Sequence, residues 1–396
     1  MATEYLHGIE TKIMDSEGRP IIVSSMSIIG IVGTMYGDDV ENKFPENRPV
    51  LVTSLDDIKG MESGTIPAAI RGIYNQVNAV CVVVRIEDAL DDEDKPDIAG
   101  TIKNAAGDEV SYTGVYAFLR AEQELKVKPK ILIVPYLSSL VETDNKPNAI
   151  VANLEIVAKK LRAIYTIDGP NATMQDAITF ASNFGSSRAY IIDPTYKPSF
   201  EYTPATLSSS SLVAGVIAKN DVDPQKGFWW SPSNTVLNGV VGINRPVSFS
   251  ISDKTCEANL LNASGVATFV FAEGNYRLWG NRSPSKDPNM WFISTQRIID
   301  TFCDAVDSSM LWALDRPLNL SLFDTIQENL KEFLKTLKIK GAILDGKTWI
   351  DKDKNNATTY KNRELTVSLG LEPVGVMEHL IVEIYRNKEY IEVLFK

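Results

Sequence analysis

Short runs that are apolar on both sides constrain the fold of this 396-residue chain more than any other feature. They occupy residues 28–33, 79–84, 130–134 and 189–193, and helical patterns separate them, such as the one over residues 66–76. Strands that are buried on both faces are typical of parallel sheets covered by helices. The pattern therefore predicts an α/β fold with a largely parallel sheet, within a chain that is α+β as a whole.

The pattern changes beyond residue 262. A hairpin is predicted over residues 268–279, followed by helices over residues 293–314 and 320–337, and by strands at 343–349, 364–371 and 380–385. We therefore predict an N-terminal strand arm (residues 1–22), an α/β domain (23–262), an α+β domain (263–387) and a C-terminal strand arm (388–396).

Both ends of the chain are predicted to be strands. Strand edges expose unpaired N–H and C=O groups that another chain can pair with. The residues alone leave two interpretations open: each strand closes a sheet inside its own subunit, or copies of the chain exchange strands. The residues concerned are Tyr5, His7, Ile9, Thr11 and Ile13 at the N-terminus, and Tyr390, Ile391, Val393, Leu394 and Phe395 at the C-terminus.

Charge and composition exclude several classes of protein. The net charge of −11 argues against binding to nucleic acid, which requires basic surfaces that neutralise phosphates. Residues 316–396 carry 13 Lys and Arg against 12 Asp and Glu, so the acidity resides in the rest of the chain. Cys81, Cys256 and Cys303 lack C-x-x-C spacing and indicate a reducing compartment. We find no signal-peptide pattern and no apolar run of about 18 residues, and expect no membrane insertion.

One segment matches the phosphate-loop pattern G-x-x-x-x-G-K-[ST]: residues 341–348, from Gly341 through Lys347 to Thr348. A phosphate loop requires a strand before it and a helix N-terminus behind it. Here a predicted helix precedes the match, and Asp345 would repel a phosphate. We favour a strand and a turn, and keep a nucleotide-binding α/β enzyme as the alternative function.

Other candidate sites are weaker. Asp351, Asp353 and Asn355 have the first spacings of a calcium loop, but Asn362 stands where the bidentate Glu is needed, so we expect an exposed turn. His7 and His379 are the only histidines and lie in unrelated predicted strands. We therefore predict no catalytic residue, no cofactor and no metal site.

The helix predicted over residues 320–337 is amphipathic. Apolar residues at steps of three and four form one stripe. The opposite side carries charges of both signs, which is typical of a solvated face. The apolar stripe contains Phe323, Ile326, Leu330, Phe333, Leu334 and Leu337, and the charged face contains Glu328, Lys331, Glu332, Lys335 and Lys338.

An ordered set of short segments resembles contractile-tail sheath proteins, in particular the compact sheaths of P2-like bacteriophages and R-type pyocins. Each segment alone is a weak signal, but together they follow the family order over nearly the whole chain. The segments are residues 5–8, 28–34, 44–53, 231–234, 238–242, 262–266, 279–282 and 312–317.

This resemblance implies a structural subunit that polymerises around an inner tube and contracts to drive the tube through a target cell envelope. It implies that the α/β domain is outer and the α+β domain inner, and that the inner sheet is completed by the terminal strands of neighbouring subunits. It also implies that the charged face of the helix over residues 320–337 contacts the tube.

The resemblance further implies which partners this chain has and where it acts. The partners are other copies of the chain in a helical array or stacked rings, the inner tail tube protein, the baseplate and the tail terminator. The location is a virion or bacteriocin particle assembled in the bacterial cytoplasm. A non-contractile α/β binding module, which would be a stable monomer, is the third interpretation.

Overall fold

The computed structural model describes residue 21, residues 23–91, 93–140, 147–199 and 207–387, and residues 390 and 394. Within them the helices are α1 (Val40–Lys43), α2 (Thr65–Tyr74), α3 (Ile98–Ala106), α4 (Ala121–Leu125), α5 (Ala149–Leu161), α6 (Met174–Ser182), α7 (Ser209–Val222), α8 (Glu257–Ala263), α9 (Ile293–Met310), α10 (Leu320–Lys340) and α11 (Ala357–Lys361).

The strands of the same residues are numbered in chain order. They are β1 (Ile29–Thr34), β2 (Tyr36–Gly37), β3 (Pro49–Val52), β4 (Met61–Ser63), β5 (Cys81–Ile86), β6 (Ala89–Leu90), β7 (Pro96–Asp97), β8 (Ile131–Ile133), β9 (Ile164–Asp168), β10 (Ala189–Ile192), β11 (Tyr196–Pro198), β12 (Thr235–Val236), β13 (Val240–Ile243), β14 (Val266–Ala272), β15 (Asn275–Trp279), β16 (Ile343–Trp349) and β17 (Ser368–Pro373).

A nine-stranded sheet forms the centre of the molecule, in the order β12-β15-β14-β10-β9-β8-β1-β5-β3. The six strands from β14 to β5 in this order run parallel, and antiparallel strands lie at both edges. The predicted α/β fold with a largely parallel sheet is confirmed.

Helices cover both faces of this sheet. Along β1, Ile29 and Ile31 point to one face, where they share a core with α2 and α7, whereas Val32 points to the core on the other face. That second core contains side chains of α3, α5, α6 and α8. Because both faces are buried, the central strands are apolar throughout, which is why their sequences lack a polar–apolar alternation.

The hairpin of β14 and β15 belongs to the large sheet, because β14 pairs with β10 in parallel. The sequence assignment of this hairpin to the C-terminal domain was wrong. An antiparallel hairpin has the same sequence pattern whether it opens a new domain or extends the edge of a parallel sheet. The end of the α/β domain that we placed at residue 262 therefore divides this sheet.

A smaller C-terminal lobe follows, built from α9, α10 and the antiparallel pair β16 and β17. Its core joins Ile298 and Phe302 of α9 to Phe333 and Leu337 of α10. Phe302 stacks on Phe333 with 5.4 Å between the ring centres. Met26, from the chain that precedes β1, packs into the same core. Residues near the N-terminus therefore help to build the C-terminal lobe.

Candidate functional site: the C-terminal lobe and its exposed apolar segment

Helix α10 is fixed at both ends by local hydrogen bonding. The Asn319 side chain accepts a hydrogen bond from the Leu322 N–H at 2.9 Å, which satisfies a free donor of the first turn. Gly341 ends the helix with a φ of 78°, a conformation that glycine adopts without strain.

The apolar stripe of α10 faces the core of the lobe. Leu330, Phe333, Leu334 and Leu337 are buried, as the sequence predicted. Phe323 and Ile326 are only half-buried, because they lie toward the N-terminal end of the helix. The stripe therefore anchors the C-terminal half of α10 more strongly than its start.

The opposite face of α10 is exposed and charged. Lys331 lies 3.7 Å from Glu328, and Lys335 lies 3.7 Å from Glu332, so the pairs are loose and solvated. Lys338 contacts Asp345 of β16 at 3.0 Å and holds the pKa of that carboxyl below its ordinary value. Exposed pairs of this kind stabilise a fold little. These side chains are therefore available to a partner surface.

Strands β16 and β17 pair only with each other among the described residues, so each leaves one edge unpaired. Their ladder runs from Ile343 opposite Pro373 to Trp349 opposite Ser368. Helix α10 packs against this pair, so one face of it is covered. Two-stranded sheets are marginally stable unless more strands or a helix support them. Within the described residues, both outer edges of the pair therefore lack a strand partner.

The segment after β17 is a strand sequence without a strand partner among the described residues. Residues 374–387 form no ladder, and the strand that we predicted at 380–385 is therefore absent from the isolated subunit. Its apolar side chains are exposed: Leu380, Ile381, Val382, Ile384 and Tyr385. A strand requires a neighbouring strand, and the described residues supply none for this segment, so the prediction was wrong for the described part of the chain.

The terminal residues predicted as arms are largely outside the described part of the chain. Tyr5, His7, Ile9, Thr11 and Ile13 lie outside it, as do Ile391, Val393 and Phe395. Tyr390 and Leu394 are described and are 74% and 79% exposed.

A set of buried ion pairs joins α9 to the α/β lobe; we call it the interlobe joint. Arg297 of α9 binds Asp221 of α7, with 2.8 Å from Nη1 to Oδ1, and both side chains are almost fully buried. Asp300 accepts two hydrogen bonds from Arg188, which precedes β10. Asp304 contacts Lys130, which precedes β8. These pairs fix the C-terminal lobe against α7 and against the amino ends of two central strands of the large sheet, β8 and β10.

Burial governs the protonation of these groups. It raises the pKa of the Asp221 and Asp300 carboxyls, although Arg297 and Arg188 act in the opposite direction. It lowers the pKa of the Lys130 ammonium, although Asp304 opposes that shift. The charged state of the interlobe joint therefore depends on every pair remaining complete.

The phosphate-loop match does not have the structure of a phosphate loop. Residues 343–349 form β16, and α10 precedes the match. Lys347 lies 5.4 Å from the ring centre of Trp349. The segment that would have to curve around a phosphate is extended, so the predicted strand is confirmed.

The chain also forms a turn where the calcium spacing occurs. Asn355 donates to the carbonyls of Asp351 and Thr366 and accepts from the Thr366 N–H, so its side chain holds two chain segments together. The Asp351 carboxylate accepts from the Asp353 N–H at 2.9 Å.

Across the described ranges, we find no group of three or more His, Cys, Asp and Glu side chains placed to hold a metal ion. None of the helices described combines the length and apolarity that a membrane span requires.

A prediction separates the two interpretations of residues 341–348. Replacing Lys347 with Ala should leave folding and assembly unchanged, because this side chain lies at the surface over Trp349. The measurement is the unfolding midpoint together with polymer yield, with and without ATP. Loss of polymer in the variant, or ATP dependence of the unaltered protein, would favour the nucleotide-binding alternative.

The fold defines a class of protein: an α/β subunit with an appended lobe that carries, among the described residues, two unpaired strand edges and an exposed apolar segment. Comparisons with known proteins agree with this class. The phage tail sheath protein central domain family matches residues 110–283, and the phage tail sheath C-terminal domain family matches residues 285–387. The chain belongs to the phage tail sheath family, and it is a subunit of a contractile tail sheath.

Individual relatives are similar over nearly their full length. A prophage major tail sheath protein of Pseudomonas aeruginosa (strain UCBPP-PA14) is 34% identical and covers 89% of each chain. The tail sheath protein of Escherichia phage P2 is 32% identical, over 96% of this chain and 94% of that one. The helical sheath of the anti-feeding prophage in its contracted state has a TM-score of 0.70 at 16% identity, over 97% and 100% of the two chains. The resemblance found in the sequence is confirmed.

The interlobe joint was not predicted from the sequence. Its signal was present, because Arg297, Asp300 and Asp304 stand three and four residues apart and therefore share one face of α9. Their partners lie in elements far apart in the chain, so spacing alone could not show that these charges are buried.

Proposed function

We propose that copies of this chain polymerise by exchanging their terminal strands, and that the exchanged strands add to the sheet of the C-terminal lobe. The observation that carries the proposal is the combination, in one lobe, of two unpaired strand edges at β16 and β17 with an exposed apolar segment at residues 379–387. An added strand supplies backbone hydrogen bonds, and its side chains set the register.

The composition of the exposed segment supports a neighbouring copy as the partner. Leu380, Val382 and Ile384 alternate with Ile381 and Tyr385, so both faces of an extended chain are largely apolar here. A strand that is apolar on both faces is stable only when it is covered on both sides. The free edges of β16 and β17 and the helices packed beside them offer that environment in a second copy.

We further propose that the sheath acts without catalysis of its own, and that contraction releases energy stored in the assembled array. A bistable packing of subunits can switch without a nucleotide if one packing is lower in free energy. The extended conformation of residues 343–349 supports this proposal. The family is one of structural sheath proteins, and P2 and prophage relatives locate such chains in tail particles.

The proposed partners are other sheath subunits, the tail tube, the baseplate and the tail terminator. The anti-feeding prophage structures similar to this fold include a baseplate and a helical sheath. We propose that this chain occupies the same kinds of assembly, in a virion or bacteriocin particle.

Electron microscopy of the purified protein, alone and with its tube protein, tests the proposal. Sheath-like rings or hollow cylinders are the expected result. A monodisperse monomer at every concentration, with or without the tube, would contradict it and favour the non-contractile binding module.

The charged face of α10 is the proposed contact with the tube. We expect the double change Lys331→Glu and Lys335→Glu to leave the unfolding free energy within about 0.5 kcal/mol, because both side chains are exposed. We expect it to weaken assembly on the tube while assembly without the tube is unchanged. Co-sedimentation with preformed tubes at two salt concentrations measures this effect.

A matched control for this change lies on the α/β lobe. Lys159 of α5 is as exposed as the two lysines and also pairs with a Glu on its own helix. Lys159→Glu should leave tube binding unaltered. Equal binding by the control and the double variant would show that α10 does not face the tube.

A further inference from the structure

Glu378 attaches the C-terminal segment to the body of its own subunit. Arg282 follows the hairpin of the large sheet, and Glu378 lies five residues beyond β17. The Arg282 Nε donates to both carboxylate oxygens of Glu378 at 3.0 Å, and Nη2 donates to Oε2 at 2.6 Å. The Arg282 guanidinium carbon also lies 4.6 Å from the ring centre of Trp291. This contact is therefore a bidentate ion pair stacked on an aromatic ring.

The two residues that hold Glu378 are themselves fixed by the backbone. Arg282 forms a β-bridge with Phe292. The N–H and the hydroxyl of Ser283 both donate to the Trp291 carbonyl, at 2.6 and 2.9 Å. The guanidinium and the indole are thus held in place before Glu378 binds, which reduces the entropy lost when the pair forms.

The contact lies four residues beyond Val374, the last residue of this segment that packs against the lobe core, and just before the exposed apolar run. The Val374 N–H donates to the Ala342 carbonyl, and Val374 packs against the lobe core. Glu378 is 34% exposed, whereas the apolar residues from Leu380 to Tyr385 are all far more exposed. Met377, just before the ion pair, is already 76% exposed, so the pair holds a stretch of chain that is otherwise largely solvated, and the exposed apolar run from Leu380 follows it.

We propose that Arg282, Trp291 and Glu378 form a clamp that fixes the root of the C-terminal arm, so that the exchanged segment begins at His379 and not at residue 388. The inference rests on the proposed strand exchange. With the clamp closed, the arm leaves the subunit at one position and in one direction. With the clamp open, the free chain would begin near Gly375, and the arm would search a larger volume.

The effect on assembly follows from effective concentration. A tethered strand binds a neighbouring site more readily when its root is rigid and correctly placed. Adding residues 375–378 to the mobile tether lowers that local concentration and adds residues that must be ordered on binding. The clamp therefore favours polymerisation without touching the neighbouring subunit.

Glu378→Gln is the variant that tests the clamp, since it keeps the size of the side chain and removes its charge. We expect the critical concentration for polymerisation to rise about tenfold, because this is the size of effect expected when a charge-assisted bidentate ion pair with ring stacking is lost. We expect the unfolding midpoint to stay unchanged. Glu124→Gln, which removes the charge of a similarly exposed pair with Arg120 on the α/β lobe, is the matched control and should leave the critical concentration unaltered.

Hydrogen exchange on the unpolymerised protein gives a readout that does not depend on strand exchange. Residues 374–378 should exchange faster in Glu378→Gln than in the unaltered chain, and Arg282→Ala should have the same effect. Unchanged exchange would overturn the clamp even if the unaltered protein does not polymerise. If it does polymerise, a critical concentration that stays constant, or that rises only because the unfolding midpoint falls, would also overturn it.

Discussion

Removal of residues 390–396 is expected to abolish polymerisation and to leave a folded subunit. Tyr390 and Leu394 are mostly exposed, so the folded subunit loses little packing with them. In a polymer the same segment would bury several large apolar side chains, each contributing about 1.5–3 kcal/mol. Losing them at every joint should raise the critical concentration by more than about 1,000-fold. Circular dichroism measures folding, and sedimentation with electron microscopy measures polymer.

Two single substitutions distinguish loss of a specific strand from loss of chain length. Val393→Asp places a charge on an apolar position of the predicted strand and should prevent polymerisation nearly as well as the deletion. Glu392→Gln changes the neighbouring position on the opposite face and should be tolerated. Polymerisation of the truncated chain at the concentration required by the full chain would show that this terminus is not an inter-subunit arm.

The sequence predicted correctly those elements whose boundaries are set by residues close to them in the chain. The limits of β16 and the start of α10 follow from local periodicity and from residues that lie directly beside each boundary, such as Asn319 before α10 and Gly341 after it. Strand β9 was missed, because it begins only three residues after α5 and carries Thr166 and Asp168. Asp168 is buried and accepts hydrogen bonds from Ser208 and Ser210, partners about 40 residues away.

Some of the proposed functional surfaces could likewise be predicted from the sequence, and others could not. The exposed apolar run at residues 380–385 and the charged face of α10 are continuous in sequence, so their patterns are visible there. The clamp and the interlobe joint are not visible, because Arg282 meets Glu378 across 96 positions and Arg297 meets Asp221 across 76. An isolated charge in a sequence does not reveal whether it is solvated or buried against a distant partner. Only the folded chain supplies that partner.

Arg297→Ala is expected to cause the largest loss of stability among single substitutions in the interlobe joint, about 3–5 kcal/mol. The Arg297 side chain is 3% exposed and Asp221 2%, so the substitution leaves an unpaired carboxylate in the interior. Arg297 also donates to the Met26 carbonyl at 3.2 Å, and therefore ties the chain before β1 to α9. Denaturant unfolding at one fixed protein concentration measures the loss. Arg120→Ala, which breaks a partly exposed pair with Glu124, should cost less than about 1 kcal/mol.

The pH dependence of that loss identifies its cause. Burial already raises the pKa of Asp221, and removing Arg297 removes the charge that opposes the shift. A carboxyl with a folded-state pKa above its unfolded value destabilises the fold most when it is ionised, so the penalty should shrink as the pH falls through the folded-state pKa. The variant should therefore lose less stability, relative to the unaltered protein, at about pH 5 than at about pH 8.

A double variant that carries both Arg297→Met and Asp221→Leu gives a second test. It removes both buried charges and should recover most of the stability. A penalty independent of pH and unchanged in the double variant would show that Arg297 acts through packing and not through its charge.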